Sequence, residues 1–259
     1  MKLYPYFLCW FIPLAFFPVW LGATDVSVEV DSLIAGCIDA TFMGEYDEAH
    51  SICDHLEELV NGSLAPFYRS AVLAGEMIDF EDTLGLGRFF FESQRCIERA
   101  QAAIKSGNHA ADDYFHMGST LAYQALFLGH QGQYWKAYRA AVKSRKALEH
   151  CLELDSTYMD ARVGLGNFQY WMSKKLDVLN WLPVLRDEKE EGIAQLEYVI
   201  ETRARSKYLA VSSLANIRLD QGDYMEALLL ARLGKAKYPG SRVFLWQEGA
   251  AAFHLGLFT

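Results

Sequence analysis

The residues able to do chemistry in this chain are plentiful but do not converge. Its seven histidines are scattered: His50 and His55 are five apart, which points them to different faces of one helix, and His109, His116, His130, His150 and His254 stand singly. A zinc hydrolase needs two imidazoles one helical turn apart around a general base, and a structural zinc or dithiol site needs cysteines at close pairwise spacing. Neither pattern occurs. Gly85-Leu86-Gly87 is too short to cradle a phosphate, and no strand precedes it. Glu188-Lys189-Glu190-Glu191 is a charge run at a helix start, where acids are favourable, and not an acid/base pair. The sequence therefore predicts no catalytic residue, no metal ligand and no cofactor.

What positions these side chains is a phrase that recurs at near-equal spacing. It reads Gly44-Glu45-Tyr46-Asp47-Glu48-Ala49, then Gly132-Gln133-Tyr134-Trp135-Lys136-Ala137, then Gly222-Asp223-Tyr224-Met225-Glu226-Ala227, at intervals of 88 and 90 residues. A weaker copy, Gly87-Arg88-Phe89, falls 43 residues after the first. Self-similarity at such a period means stacked supersecondary units rather than one globule, which argues against an enzyme. In each phrase the Gly suits the left-handed backbone of a helix stop. The aromatic opens the next helix, and the small Ala sits where two antiparallel helices touch. Each unit is thus a helix hairpin that cannot bury its apolar face alone and stacks on its neighbours. Turns are expected near Gly44, Leu84–Gly87, Gln131–Gly132, across 174–188 and at Gln221–Gly222, with long helices near 112–129 and 134–153.

The phrase resembles the tetratricopeptide repeat (TPR), whose pattern runs W-x2-L-G-x2-Y, then A-x3-F, then P. Tyr208 to Pro239 matches best, with Leu214-Ala215, Gly222, Tyr224, Ala227, Ala231 and Pro239 in order; Leu165-Gly166 supplies a second L-G pair, with Arg162 where the family prefers Trp. Gly36-Cys37 holds that site in the first unit, with Ala49 and Cys53 across the turn. Residues 30–259 are covered as about six units, the last incomplete, and exported bacterial proteins with long TPR-like repeats are similar as a group. The resemblance implies an all-α, right-handed superhelical solenoid of antiparallel hairpins. It also implies a concave surface lined by the first helix of each hairpin, here Asn167, Tyr170 and Trp171 in the fourth unit and Asn216 and Asp220 in the fifth.

Two segments depart from the repeat. Between Leu165-Gly166 and the matching small residue Gly192, about 14 residues are added, among them Leu176, Val178, Leu179, Trp181, Leu182, Pro183, Val184 and Leu185. An apolar insert either folds over a solenoid edge as cover, the reading favoured here, or offers Trp181 and Leu182 as a binding lip. At the other end, Gly256-Leu257-Phe258 mimics a turn, and Val243 to Phe258 reads as an apolar half-unit.

Compartment follows from the first residues. Lys2 precedes an uncharged run from Leu3 to Ala23, and polar sequence starts at Thr24-Asp25. That reads as a signal peptide over 1–23 ahead of a solenoid over 24–259, cleaved after Ala23 for export to the periplasm or envelope, or else kept as an anchor. Beyond it remain Cys37, Cys53, Cys96 and Cys151. Export permits disulfides. However, an axial offset of about one turn (~6 Å) is expected between Cys37 and Cys53, too far for a bridge. Free core thiols are expected. A net charge of −9 argues against nucleic acid and anionic lipid heads. Arg203, Arg205 and Lys207 read as charge at a helix end beside a solvated turn. Membrane contact is expected only through an uncleaved leader or the 176–185 insert.

The chain thus reads as a non-enzymatic exported scaffold that binds protein segments on its concave face. The alternative is a carrier for a small apolar ligand in the envelope, with the aromatics and the insert forming its pocket.

Overall fold

The computed structural model describes residues 23–107, 110–176 and 187–257. Eleven helices follow one another among them, with no strand. They are α1 (Ala23–Met43), α2 (Tyr46–Leu59), α3 (Leu64–Phe80), α4 (Leu86–Lys105), α5 (Ala111–His130), α6 (Tyr134–Leu154), α7 (Met159–Leu176), α8 (Lys189–Glu201), α9 (Lys207–Gln221), α10 (Tyr224–Lys237) and α11 (Arg242–His254). Gly87 of the weaker copy lies inside α4, and Glu81, at φ +52, ends α3. The other three phrase glycines end a helix in the left-handed region, at φ +77 for Gly44, +73 for Gly132 and +81 for Gly222. A side chain would be strained there. The next helix starts two residues later, and at Asp223 the side chain accepts a hydrogen bond from the Glu226 backbone N–H, satisfying one of the free donors of α10. The long helices expected in the middle of the chain are α5 and α6, of 20 and 21 residues.

Burial follows helical periodicity. In α4 the buried residues Phe89, Glu92, Ser93, Cys96, Ile97 and Ala100 recur at three- and four-residue steps, a single stripe facing its neighbours, in which Glu92 is paired with Arg69 and Arg95. Successive helices pair as antiparallel hairpins, α1/α2 through α9/α10, with α11 as a half-unit. Each odd-numbered helix also packs on the next odd one, from α1 on α3 to α9 on α11, while even-numbered helices make no comparable contact with one another. The odd helices therefore form the inner layer of a curved stack and the even helices its outer layer.

Small residues mark where the layers touch. Ala215 and Ala227 are fully buried on facing helices. At the fourth hairpin a Cβ on Gly166 would lie 2.7 Å from the Gly192 carbonyl oxygen, and one on Gly192 would lie 2.6 Å from the Gly166 oxygen. Helices α7 and α8 thus cross backbone to backbone at the pair the repeat register singled out.

The first hairpin corrects one expectation. Cys37 and Cys53 remain free thiols, but their sulfurs lie in contact at 3.7 Å. Cys37 stands six residues before the end of α1 and Cys53 seven after the start of α2, so their axial levels differ by only about one residue, ~1.5 Å. Side chains tilt toward their own helix N-terminus. In an antiparallel pair that tilt carries the two sulfurs toward each other.

The arc curls far enough for its ends to meet. The Tyr238 hydroxyl donates to Asp39 at 2.6 Å across 199 residues, and Arg205 bonds Asp31 at 2.7 Å across 174. Phe42 stacks on Tyr238 at 4.8 Å and on Phe244 at 5.8 Å, and Arg242 lies over the Phe80 ring at 4.4 Å. Helix α1 is therefore covered by the α10–α11 turn and the start of α11. Toward the middle of the inner layer, Tyr68 joins three of the apolar clusters that run through the hairpins.

Candidate functional site on the inner face

The inner helices α7 and α9 carry the polar residues expected to face a partner, and the structure joins these two helices and α11 by cross-hairpin rungs. Asn167 Nδ2 donates to the Val163 carbonyl and to Ser213 Oγ, both at 2.9 Å. The Tyr170 hydroxyl donates to Asp220 at 2.6 Å, and Lys174 reaches the same carboxylate at 2.9 Å. Gln247 Nε2 donates to the Ser212 carbonyl at 3.0 Å and to Asn216 Oδ1 at 2.9 Å. Each rung ties one hairpin to the next and gives buried polar groups partners that packing would otherwise deny them, although Gln247 Oε1 is left without one.

These placements sort the expected contact residues. Asn167, Trp171 and Asn216 are half-buried and Asp220 is exposed, all on inner helices. Tyr170 is corrected: its side chain is 1% exposed, with Trp171 edge-on at 5.0 Å. It lies within the apolar cluster of α7, α8 and α9, so the ring is core and offers no surface to a ligand. Its helical position put it on the inner helix, but the α7–α9 packing turned it into the interface. Trp181 and Leu182 lie outside the described residues.

A second inner feature escaped the sequence reading. The N-terminal ends of α5, α7 and α9 come together at one rim around an open cleft of about 350 Å³, lined by Asp112, Asp155, Tyr158, Asp160, Arg203 and Arg205 among others. Asp160 accepts from the Ser206 backbone N–H at 3.2 Å and from its hydroxyl at 2.5 Å. Asp112 accepts from the Tyr158 hydroxyl at 2.7 Å. The Thr157 backbone N–H and hydroxyl both donate to Asp155 and hold its carboxyl below the usual range. The lining carboxylates are thus fixed by local donors. Arg205 is drawn across to Asp31, and Arg203 stands exposed at the edge. Only the Arg203-Ala204-Arg205 run was legible beforehand, and it read as a solvated turn. Which loops it would meet depended on the curvature of the stack.

Among the described residues no group of three or more His, Cys, Asp or Glu is arranged to hold a metal ion. Helix hairpins stacked in two layers, with small residues at their crossings, define a TPR-type solenoid. The architecture is similar to the crystal structure of a thermophilic TPR protein from Thermus thermophilus: TM-score 0.54, 13% sequence identity, covering 86% of this chain and 99% of that one. At that identity the likeness speaks for the fold. No family model matches the sequence, and no curated protein matches it. Folds of this type generally mediate protein–protein interactions and are typically non-catalytic.

Proposed function

We propose that this protein is an exported, non-enzymatic scaffold that binds a protein segment along its inner face. The observation that carries this reading is the rim cleft. It opens at the rim of the inner layer, and carboxylates held by local donors, a tyrosine and an exposed arginine line it. Fixed donors and acceptors of both signs suit an extended peptide main chain with a charged side chain or terminus. They suit a small apolar molecule poorly, because desolvating such groups without replacement bonds is costly. The half-buried Trp171, Asn167 and Asn216 and the exposed Asp220 extend the polar face along α7 and α9.

Site-specific photo-crosslinking in the native cell tests the reading. A crosslinker at Arg203 or Trp171 should capture a protein partner, and one at Leu229, exposed on outer helix α10, should not. Capture from position 229 alone would place the binding face on the outside. Export rests on the leader and is checked by N-terminal sequencing of envelope protein. A chain starting at Thr24 supports cleavage, one starting at Met1 means a retained anchor, and one confined to the cytoplasm overturns export.

A further inference from the structure

On the outer layer, one helix joins a run of basic side chains to exposed aromatic rings. Between Tyr134 and Leu148, α6 carries Lys136, Arg139, Lys143, Arg145 and Lys146 and no acid, in a chain of net charge −9. Its outer counterpart α2 carries Asp47, Glu48, Asp54, Glu57 and Glu58 with no Lys or Arg, and α8 carries four Glu against one Lys. Among the described residues the ion pairs on this helix are those of Arg145 with Glu149 and Glu188, and of His150 with Glu153. Lys136, Arg139, Lys143 and Lys146 all stand exposed.

Aromatic rings share that face. Tyr134 is 74% exposed, Trp135 71% and Tyr138 44%, with Trp135 and Tyr138 stacked at 5.7 Å. At 100° per residue, Trp135, Tyr138, Arg139, Val142, Lys143 and Lys146 fall on one stripe. Ala140, Ser144, Ala147, Leu148 and Cys151 fall on the opposite, buried one. The large rings are therefore not needed for the core. Exposing them costs free energy that something other than water recovers.

We propose that this face of α6 docks on the surface of an anionic phospholipid bilayer. Trp and Tyr are the side chains that settle at the headgroup level, with an apolar body and a polar tip. Lysines and arginines above them keep their charge among anionic headgroups while their stems cover apolar surface. The surface is a convex helix, which suits a planar partner and offers no groove for a nucleic acid strand. Among the described residues no helix is long and apolar enough to cross a membrane, so α6 lies on the bilayer and does not span it. The opposite, inner face stays free for the protein segment proposed above. The whole-chain acidity that argues against anionic lipid does not apply locally, because charges beyond about 10 Å are screened at physiological salt.

The test uses the full chain with Cys9→Ser and Val142→Cys, the new thiol carrying an environment-sensitive fluorophore. The remaining cysteines are buried and do not take the label. Vesicles of phosphatidylcholine alone are compared with vesicles containing one-third phosphatidylglycerol. The leader is the same in every sample, so a difference between the parent and the α6 variants reports α6. The expected result is a blue shift with anionic vesicles only, reversed by high salt. In Lys143→Gln and Lys146→Gln the partition coefficient falls about fivefold for each cation lost. Trp135→Ala with Tyr138→Ala weakens binding to the same vesicles, read on the same label. All these side chains are exposed, and unchanged thermal melts confirm that the variants fold. An equal shift with both lipids, no shift at all, unaltered binding by the variants, or tighter binding to single-stranded RNA than to anionic vesicles each overturns the proposal.

Discussion

At the scale of single residues, burial decides which groups react. Cys37, Cys53, Cys96 and Cys151 are at most 1% exposed. Burial pushes the Cys96 and Cys151 thiols up to about 12, and the hydrogen bond between Cys53 and Cys37 raises Cys53 and lowers Cys37, whose sulfur is closed off from reagent by burial alone. Thiolates are the reactive form, so a chain lacking Cys9 should leave an aromatic disulfide reagent almost untouched when native and release four thiols in denaturant. Rapid native reaction would mean the hairpins open. His116 sets a pH dependence. It is packed against Phe67 at 4.8 Å, its Nδ1 is 2.8 Å from Ser63 Oγ, and Ser63 donates to Asp113 at 2.7 Å. Burial drops its pKa from 6.5 to about 4, against an upward pull from Asp112. The unfolded chain binds the proton first, so stability is full above pH 6.5 and falls as pH drops toward about 4, by up to about 1.4 kcal/mol per pH unit. Asp113, its carboxyl raised by burial, acts in the opposite sense at lower pH, so the clean window is pH 6.5 to 5.5. His116→Gln should flatten the loss in denaturant melts across that window. An identical slope would assign it elsewhere.

At the scale of helices, small residues set the spacing between layers. Ala227, on α10 where it pairs with α9, has no exposed surface and shares an apolar cluster with Ala251 and Leu219. Ala227→Leu should therefore cost about 1–3 kcal/mol by overpacking, and a melt unchanged from wild type would deny the contact. Gly192→Ala is the sharper case. The added Cβ would lie 2.6 Å from the Gly166 carbonyl oxygen and 2.9 Å from the Tyr170 backbone nitrogen. Both neighbours are backbone and cannot rotate away. That single methyl should lower stability about as much as Ala227→Leu, although Ala is intrinsically the better helix former by about 1 kcal/mol. Chemical denaturation of the pair of variants compares the two crossings directly.

At the scale of the whole molecule, closure distinguishes this arc from an open spring. A solenoid normally gains stability from nearest neighbours alone, whereas here Phe42, Tyr238 and Phe244 join the first hairpin to the last half-unit. Phe42→Ala should cost about 2 kcal/mol, less than a full core Phe→Ala because the ring is half-buried. It should also raise the radius of gyration in small-angle scattering as the ends separate. Tyr238→Phe removes the hydroxyl bond to Asp39 while keeping the stack, so it should cost only about 1–2 kcal/mol without expansion. Expansion in neither variant would mean that hairpin curvature alone holds the ring.

The sequence alone determined the units of this fold. A left-handed Gly, an aromatic two residues on and a small Ala encode helix stop, helix start and helix crossing within six residues, and such local geometry is written locally. Gly166 and Gly192 show the reach of that logic across an insertion. What lay between units depended on the tertiary structure. Cys37 and Cys53 met because side-chain tilt closed an offset that residue counting overestimated. Tyr170 passed from expected contact surface to core because α9 covered it. The rim cleft and the Asp31–Arg205 and Asp39–Tyr238 links join residues that no periodicity relates. Their meeting depends on a small rotation between hairpins, summed along the whole arc, and a small error per step moves the two ends of the chain entirely apart.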